Sequence, residues 1–219
     1  VIKLTLQEIN PHIRYAKYHQ NFNLDNSTHY CYDCRLFYFP NCTCHIEIGE
    51  ENFKISDNTV IYLPFASCYR FIPTDSQPPS ALVFDLDLTS KYAHFKDSLS
   101  TAQDHDYNPD KILKYELPKE FESPIVLHMP QLFNTLKRCT DEYLYKNHYY
   151  RETASALIKL CLLDLLREVG ISAEFKIIPH VIDYIHHHYH ETNITNKDIA
   201  KRFNYHPYYL SQLIKKATG

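Results

Sequence analysis

Up to about Leu88 the chain alternates short apolar runs with turn residues, a pattern that predicts many short strands. The expected strands are His12 to His19, Asp33 to Phe39, Cys42 to Ile48, Asn52 to Ile55, Thr59 to Leu63, Ser67 to Ile72 and Ala81 to Leu88. Turn signals fall between them: Pro40-Asn41, Gly49-Glu50, Ser56-Asp57-Asn58, Pro64, and the stretch from Pro73 to Pro79. The last run puts Leu82, Phe84, Leu86 and Leu88 on one side and Asp85 and Asp87 on the other. Strands at this spacing indicate a sandwich or a barrel. Ser98 to Pro118 is polar and Asp-rich, and is expected to be a loop.

The period then changes. Leu132, Phe133, Leu136, Thr140, Tyr143 and Leu144 share one helical face. A second face is made by Ala154, Leu157, Ile158, Cys161, Leu162, Leu165, Leu166 and Val169, with Gly170 at the position of a C′ cap. This helix also carries Ala156, Leu160 and Leu163 on its back, more apolar surface than one buried face requires, so the 150–169 helix is expected to pair with a second copy.

Three short helices close the chain. The first is expected over Ile177 to His190, with Ile177, Ile178, Val181, Ile182, Ile185 and Tyr189 facing inward. Thr195 is a good N-cap, and Asp198 three residues on completes a capping box for the second, which buries Ile199, Ala200 and Phe203. Asn204 suits the left-handed end of that helix. His206 caps the third, with Pro207 in its first turn. At 100° per residue the third helix turns Leu210, Leu213, Ile214 and Ala217 inward, and Tyr208, Ser211, Gln212 and Lys215 outward with Lys216 on the flank. Helix, short turn, helix is the spacing of a DNA-reading helix-turn-helix. Carboxamide, hydroxyl and aromatic groups near the helix start suit base edges, and the two amines suit phosphates.

Charge adds to this picture. The formal net charge is −3, but Asn193 to Gly219 holds five basic residues against Asp198 alone, a net of +4 that leaves −7 elsewhere. A basic module on an acidic body suits contact with a polyanion. No run approaches the roughly 18 apolar residues of a membrane helix. No secretory leader is visible, so a cytoplasmic location and reduced thiols are expected for the 7 Cys.

The stretch IIPHVIDYIHHHYHETNITNKDIAKRFNYHPYYLSQLIKKATG resembles the first helix-turn-helix of the AraC family of transcriptional regulators. The matching features are Tyr184-Ile185, Ile199-Ala200, the His206-Pro207 start, Tyr209-Leu210-Ser211 and the Lys215 to Gly219 ending. The resemblance implies that positions matched by Tyr208, Ser211 and Gln212 enter the major groove, with His206, Tyr209, Lys215 and Lys216 completing the DNA contact. Upstream, the order of strands is similar to the family's cupin-like sensor. The implied class is α+β: a cupin-like jelly-roll barrel over 1–118 that binds a small-molecule effector, a helical linker and dimerisation region over 119–171, and an all-α helix-turn-helix over 172–219. Family members carry a second helix-turn-helix beyond the position of Gly219, so a chain ending there is expected to bind its operator weakly.

Three clusters invite other chemistry. Cys31-x-x-Cys34 followed by Cys42-x-Cys44 has the ring of a thiolate zinc site, against ordinary half-buried cysteines. His186 and His190 share a helical face at i, i+4, but that face also carries Asp183 and is expected to be solvated. His29, Asp33 and Arg35 are the polar groups expected near the barrel cavity, where an inward Arg suits a carboxylate or a sugar hydroxyl array. The His-x-His and downstream Glu of metal-binding cupins are not visible, so no metal or cofactor is expected. The alternative reading, a cupin-type metal-dependent enzyme with an appended helical domain, needs a convergent catalytic group that the sequence does not display.

Overall fold

The computed structural model describes residues 2–74, 77–94, 100–112, 115–170, 178–190, 195–203 and 205–218, with the side chains of Ile2, Asp104, Pro179 and Lys216 outside that description. The chain divides into two compact units, Val1–Leu166 and Arg167–Gly219.

The first unit is built on strands β1 (Ile2–Lys3), β2 (His12–His19), β3 (His29–Cys31), β4 (Cys34–Asn41), β5 (Cys44–Ile48) and β6 (Glu51–Ile55). They are followed by β7 (Thr59–Leu63), β8 (Cys68–Pro73), β9 (Ser80–Asp87), β10 (Thr101–Gln103), β11 (Tyr115–Glu116) and β12 (Ile125–His128). Two five-stranded antiparallel sheets result, in the orders β12-β7-β4-β9-β2 and β10-β3-β8-β5-β6, beside a parallel pair of β1 and β11. The β5–β6 hairpin turns at Gly49, whose φ of 60° at the first of two turn residues needs glycine.

The runs expected from the pattern are strands, but Pro40-Asn41, expected as a turn, lies within β4. Cys34–Asn41 and Cys44–Ile48 do not pair around Pro40-Asn41; they lie in different sheets. Both edges of β4 are taken, by β7 and β9, and Asn41 still pairs with Ser80 after a bulge. Both of its faces are buried as well. Phe37 and Phe39 join Ile46, Ile61 and Phe71 between the sheets, while Leu36 and Tyr38 pack on the other side with the helices. A strand covered on both faces reads as a continuous apolar run. The stretch expected to be a loop, Ser98 to Pro118, contains β10 and β11.

Helix α1 (Phe133–Tyr145) and helix α2 (Tyr150–Gly170) follow the strands. Leu132, Leu136, Cys139, Ala154, Ile158, Cys161, Leu162 and Leu165 are buried in one core with Leu36, Leu82, Phe84 and Leu86. Each such side chain contributes about 1.5–3 kcal/mol when fully buried. Leu144, expected on the inner face, is 64% exposed at the end of α1, and Val169 is 55% exposed at the end of α2, past the apolar partners. Gly170 is the last residue of α2 and not a left-handed cap, since its φ is not positive.

The second unit holds α3 (Ile178–His188), α4 (Asn196–Arg202) and α5 (Pro207–Thr218). Val181, Ile199, Ala200 and Leu210 form its core, with Tyr184, Ile185, Phe203, Tyr205 and Ile214 packed against it. Ile178 and Leu213 are also buried. Ile177, Asn204 and the left-handed conformation expected of Asn204 lie outside the described residues. Tyr189 is 65% exposed, because α3 stops at His188, and Ala217 is exposed near the end of α5.

Candidate functional site

In the carboxy-terminal unit, α4 begins as its sequence dictates. The Thr195 hydroxyl accepts from the Asp198 N–H at 3.3 Å, and the Asp198 carboxylate accepts from the Thr195 N–H at 3.0 Å. The two orphan donors at the helix start are thereby satisfied. At the other end, the Tyr205 N–H donates to the Ala200 carbonyl at 2.8 Å, closing the last turn. Phe203 to His206 then connect to α5, where the Leu210 N–H donates to the His206 carbonyl at 3.0 Å.

Helix α5 has two faces. Leu210 and Leu213 are buried, whereas His206, Tyr208, Tyr209, Ser211, Gln212 and Lys215 are all exposed. Tyr208 is 70% exposed. Tyr209 lies at 40% and stacks on Tyr205 with ring centroids 5.9 Å apart, so its ring is partly used within the unit. The Ser211 hydroxyl donates to the Pro207 carbonyl at 2.9 Å, which leaves its lone pairs outward. The Lys216 side chain lies outside the described residues. Arg202 sits over the Tyr184 ring at 4.6 Å, a cation–π contact that ties α4 to α3.

The first unit carries a different site. The β2–β9 register shifts at a bulge between Ile13 and Tyr15, where Arg14 stands. Bulges re-aim a side chain, and here the guanidinium is 5% exposed, 3.6 Å from Asp33 and 2.6 Å from Asp87. Next to it, Arg35 pairs across the strands with Asp85, its Nε 3.4 Å from Oδ1. Two arginines and three aspartates thus share one buried cluster. Burial pushes the Asp33 carboxyl up to about 7, with Asp87 adding to it, and raises Asp85 and Asp87 as well.

A cavity of about 290 Å³ opens beside this cluster, lined by Tyr15, His19, Phe22, Arg35, Val83, Asp85 and Ser100. Arg35 Nη1 donates to the Ser100 hydroxyl at 3.2 Å. Among the described residues, Arg35 Nε and Asp85 Oδ1 are buried without a hydrogen bond. These two atoms face each other at 3.4 Å, so the ion pair meets its own charges and forms one wall of the cavity.

The sequence-based trio is therefore split. Arg35 lines the cavity. Asp33 belongs to the charge cluster behind it, through Arg14. His29 is not brought there: it bonds Asp25 at 2.8 Å and stacks on Tyr69. Asp85, Asp87 and Arg14 stand outside that trio; alternation puts the two acids on the face opposite Leu82, Phe84 and Leu86 but does not tell that this face is covered. Cys31, Cys34, Cys42, Cys44, Cys139 and Cys161 are buried rather than half-buried; burial pushes Cys34 up to about 12 and raises Cys31, Cys139 and Cys161, whereas the hydrogen bond from Cys42 lowers Cys44. Among the described residues no group of three His, Cys, Asp or Glu is placed to hold a metal ion. His186 and His190 are exposed. No described helix is long and apolar enough to cross a membrane.

No family model matches the chain, and no curated protein matches it. Among solved structures, it is similar to an apo ToxT variant from Vibrio cholerae, with a TM-score of 0.44 and 11% identity, over 92% of this chain and 74% of that one. It is also similar to the AraC-like transcriptional activator CuxR, with a TM-score of 0.32 and 10% identity, over 93% of this chain and 68% of the other. A shorter likeness, over 37% of this chain and 21% of the other, is to oxalate decarboxylase from Bacillus subtilis, with a TM-score of 0.28 and 17% identity. None of these likenesses is close enough to carry a function.

Proposed function

We propose that the chain is a ligand-responsive, sequence-specific DNA-binding transcriptional regulator of the AraC type. The observation that carries this reading is the division of α5, with Leu210 and Leu213 buried and Tyr208, Gln212 and Lys215 presented outward. Gln212 can bond an adenine edge through two hydrogen bonds, Ser211 can accept from a base, and Tyr208 can pack on a thymine methyl. Lys215 and Lys216 would meet phosphates. A helix offering such groups, backed by a second helix with a capped start, is the arrangement that enters a major groove.

In this reading residues 1–118 form a cupin-like sensor, 119–171 a linker and dimerisation region, and 172–219 the helix-turn-helix. The effector is a sugar or a related small metabolite seated at Arg35 and Asp85. The Arg35–Asp85 pair gives the cavity a charged wall, and 290 Å³ suits a ligand of about monosaccharide size. Homodimerisation through α2 is supported by its back, where Ala156 is exposed and Leu160 is 47% exposed.

Selection from a random pool of DNA duplexes tests the reading. The full chain should enrich one consensus, and a Tyr208→Ala/Gln212→Ala variant should not. Retention that depends only on salt, with no consensus, would remove the claim of specific recognition.

A further inference from the structure

We propose that the cavity between β2 and the α1–α2 turn is a second ligand site, one that takes a small organic phosphate dianion. It is separate from the Arg35 cavity and independent of the regulator reading.

This cavity measures about 400 Å³, and its polar lining includes His12, Arg14, His94, Lys146, Tyr150 and Arg151. No acidic side chain lines it among the described residues. Such a concentration of cationic and imidazole groups contrasts with a chain whose formal net charge is −3. Crowding is felt within it: the imidazole of His12 titrates below its ordinary value, first through burial and then through the nearby charges of Arg14 and Arg151.

The backbone is bent to build this wall. Lys146 ends α1 with φ 51° and ψ 43°, and Tyr149 has φ 61°, both in the left-handed region that L side chains rarely adopt. Such a conformation costs on the order of 1 kcal/mol or more per residue and persists where surrounding structure enforces it. Its effect is a turn so tight that Lys146 from α1 and Arg151 from α2 line one cavity. Other groups hold the remaining walls. The Tyr143 hydroxyl donates to the Arg14 carbonyl at 2.6 Å, and Arg14 Nη2 donates to the Tyr92 carbonyl at 3.2 Å. Arg151 Nε donates to the Tyr150 hydroxyl at 3.1 Å, with the guanidinium carbon 5.7 Å from the ring centroid.

Geometry separates a phosphate from a carboxylate here. A planar carboxylate is satisfied by one arginine fork. Here the donors come from three directions: His12 on β2, His94 after β9, and Lys146 with Arg151 at the helix turn, while the Arg14 guanidinium is held by Asp87. Donors spread in this way suit the tetrahedral oxygens of a phosphate. The volume exceeds that of the ion alone, and the Tyr150 ring offers a surface for an organic substituent.

Titration calorimetry of the full chain with phenyl phosphate and with benzoate tests the proposal. Phenyl phosphate should bind at one site per chain with a dissociation constant on the order of 1 mM or lower, and benzoate at least about tenfold more weakly. Lys146 and Arg151 are exposed, so Lys146→Gln/Arg151→Gln should fold normally and lose about tenfold or more in phenyl phosphate affinity. The proposal is overturned if phenyl phosphate does not saturate the chain, if benzoate binds as well, or if the double variant binds as the parent does.

Discussion

Arg14 holds Asp87 through two donors on one carboxylate oxygen, Nε at 2.9 Å and Nη2 at 2.6 Å, in the buried space at the β2 bulge. Asp33 lies 3.6 Å from the same guanidinium. A charge left alone in such a place is costly, because burial penalises its ionised form far more than a surface position does. Arg14→Met is therefore expected to cost about 3–5 kcal/mol in urea unfolding. Arg14→Met/Asp87→Leu should recover a measurable part of that loss, since it removes both members of the pair. A double variant no more stable than the single would show that the pair is not coupled.

The cluster also sets a pH dependence with a definite sign. The Asp33 carboxyl titrates near 7 when folded against an ordinary value of 3.8, so the folded state holds its proton more tightly. This contribution is fully present below about pH 4 and is lost as the pH rises through about 7. Asp85 and Asp87 are raised too and act in the same direction. The stability of the first unit should therefore fall across that window, with a limiting slope of about 1.4 kcal/mol per pH unit per proton. Asp33→Asn should flatten the fall. Urea midpoints at three pH values between about 4 and about 8 check it, and an unchanged slope would rule out Asp33 as the source.

Helix α4 depends on its start. Thr195→Ala removes the hydroxyl that accepts from the Asp198 N–H and should cost about 1 kcal/mol. Hydrogen exchange should show faster amides in α4 while those of β4 and β9 keep their protection.

Gln212 and Leu213 are neighbours with opposite surroundings, one exposed and one buried. Leu213→Ala should destabilise the second unit by about 2–5 kcal/mol. Gln212→Ala should change stability by no more than about 0.5 kcal/mol. Thermal unfolding followed at the helical signal separates the two.

Much of this fold was legible along the chain because alternation and capping are local. His12–His19, Thr59–Leu63 and the Thr195 capping box fall where their residues place them. What escaped was set at a distance. Alternation tells which residues share a face, not whether that face is covered, so nothing local marks Asp85 and Asp87 as the buried acids they are. The bulge that turns Arg14 inward leaves no mark in the sequence, and the short strands His29–Cys31 and Ile125–His128 exist because a neighbour pairs with them. Leu144, Tyr189 and Ala217 fit their helical wheels but lie at helix ends where no partner reaches them.

The outward face of α5 is most directly tested by titrating the duplex enriched by the full chain, and its single-base variants, with the parent protein and with Gln212→Ala. The expected result is a loss of about 1–3 kcal/mol of discrimination at one base pair, with folding and binding to the other positions retained. Equal affinity and equal discrimination by the two proteins would contradict the assignment of α5 as the helix that reads DNA.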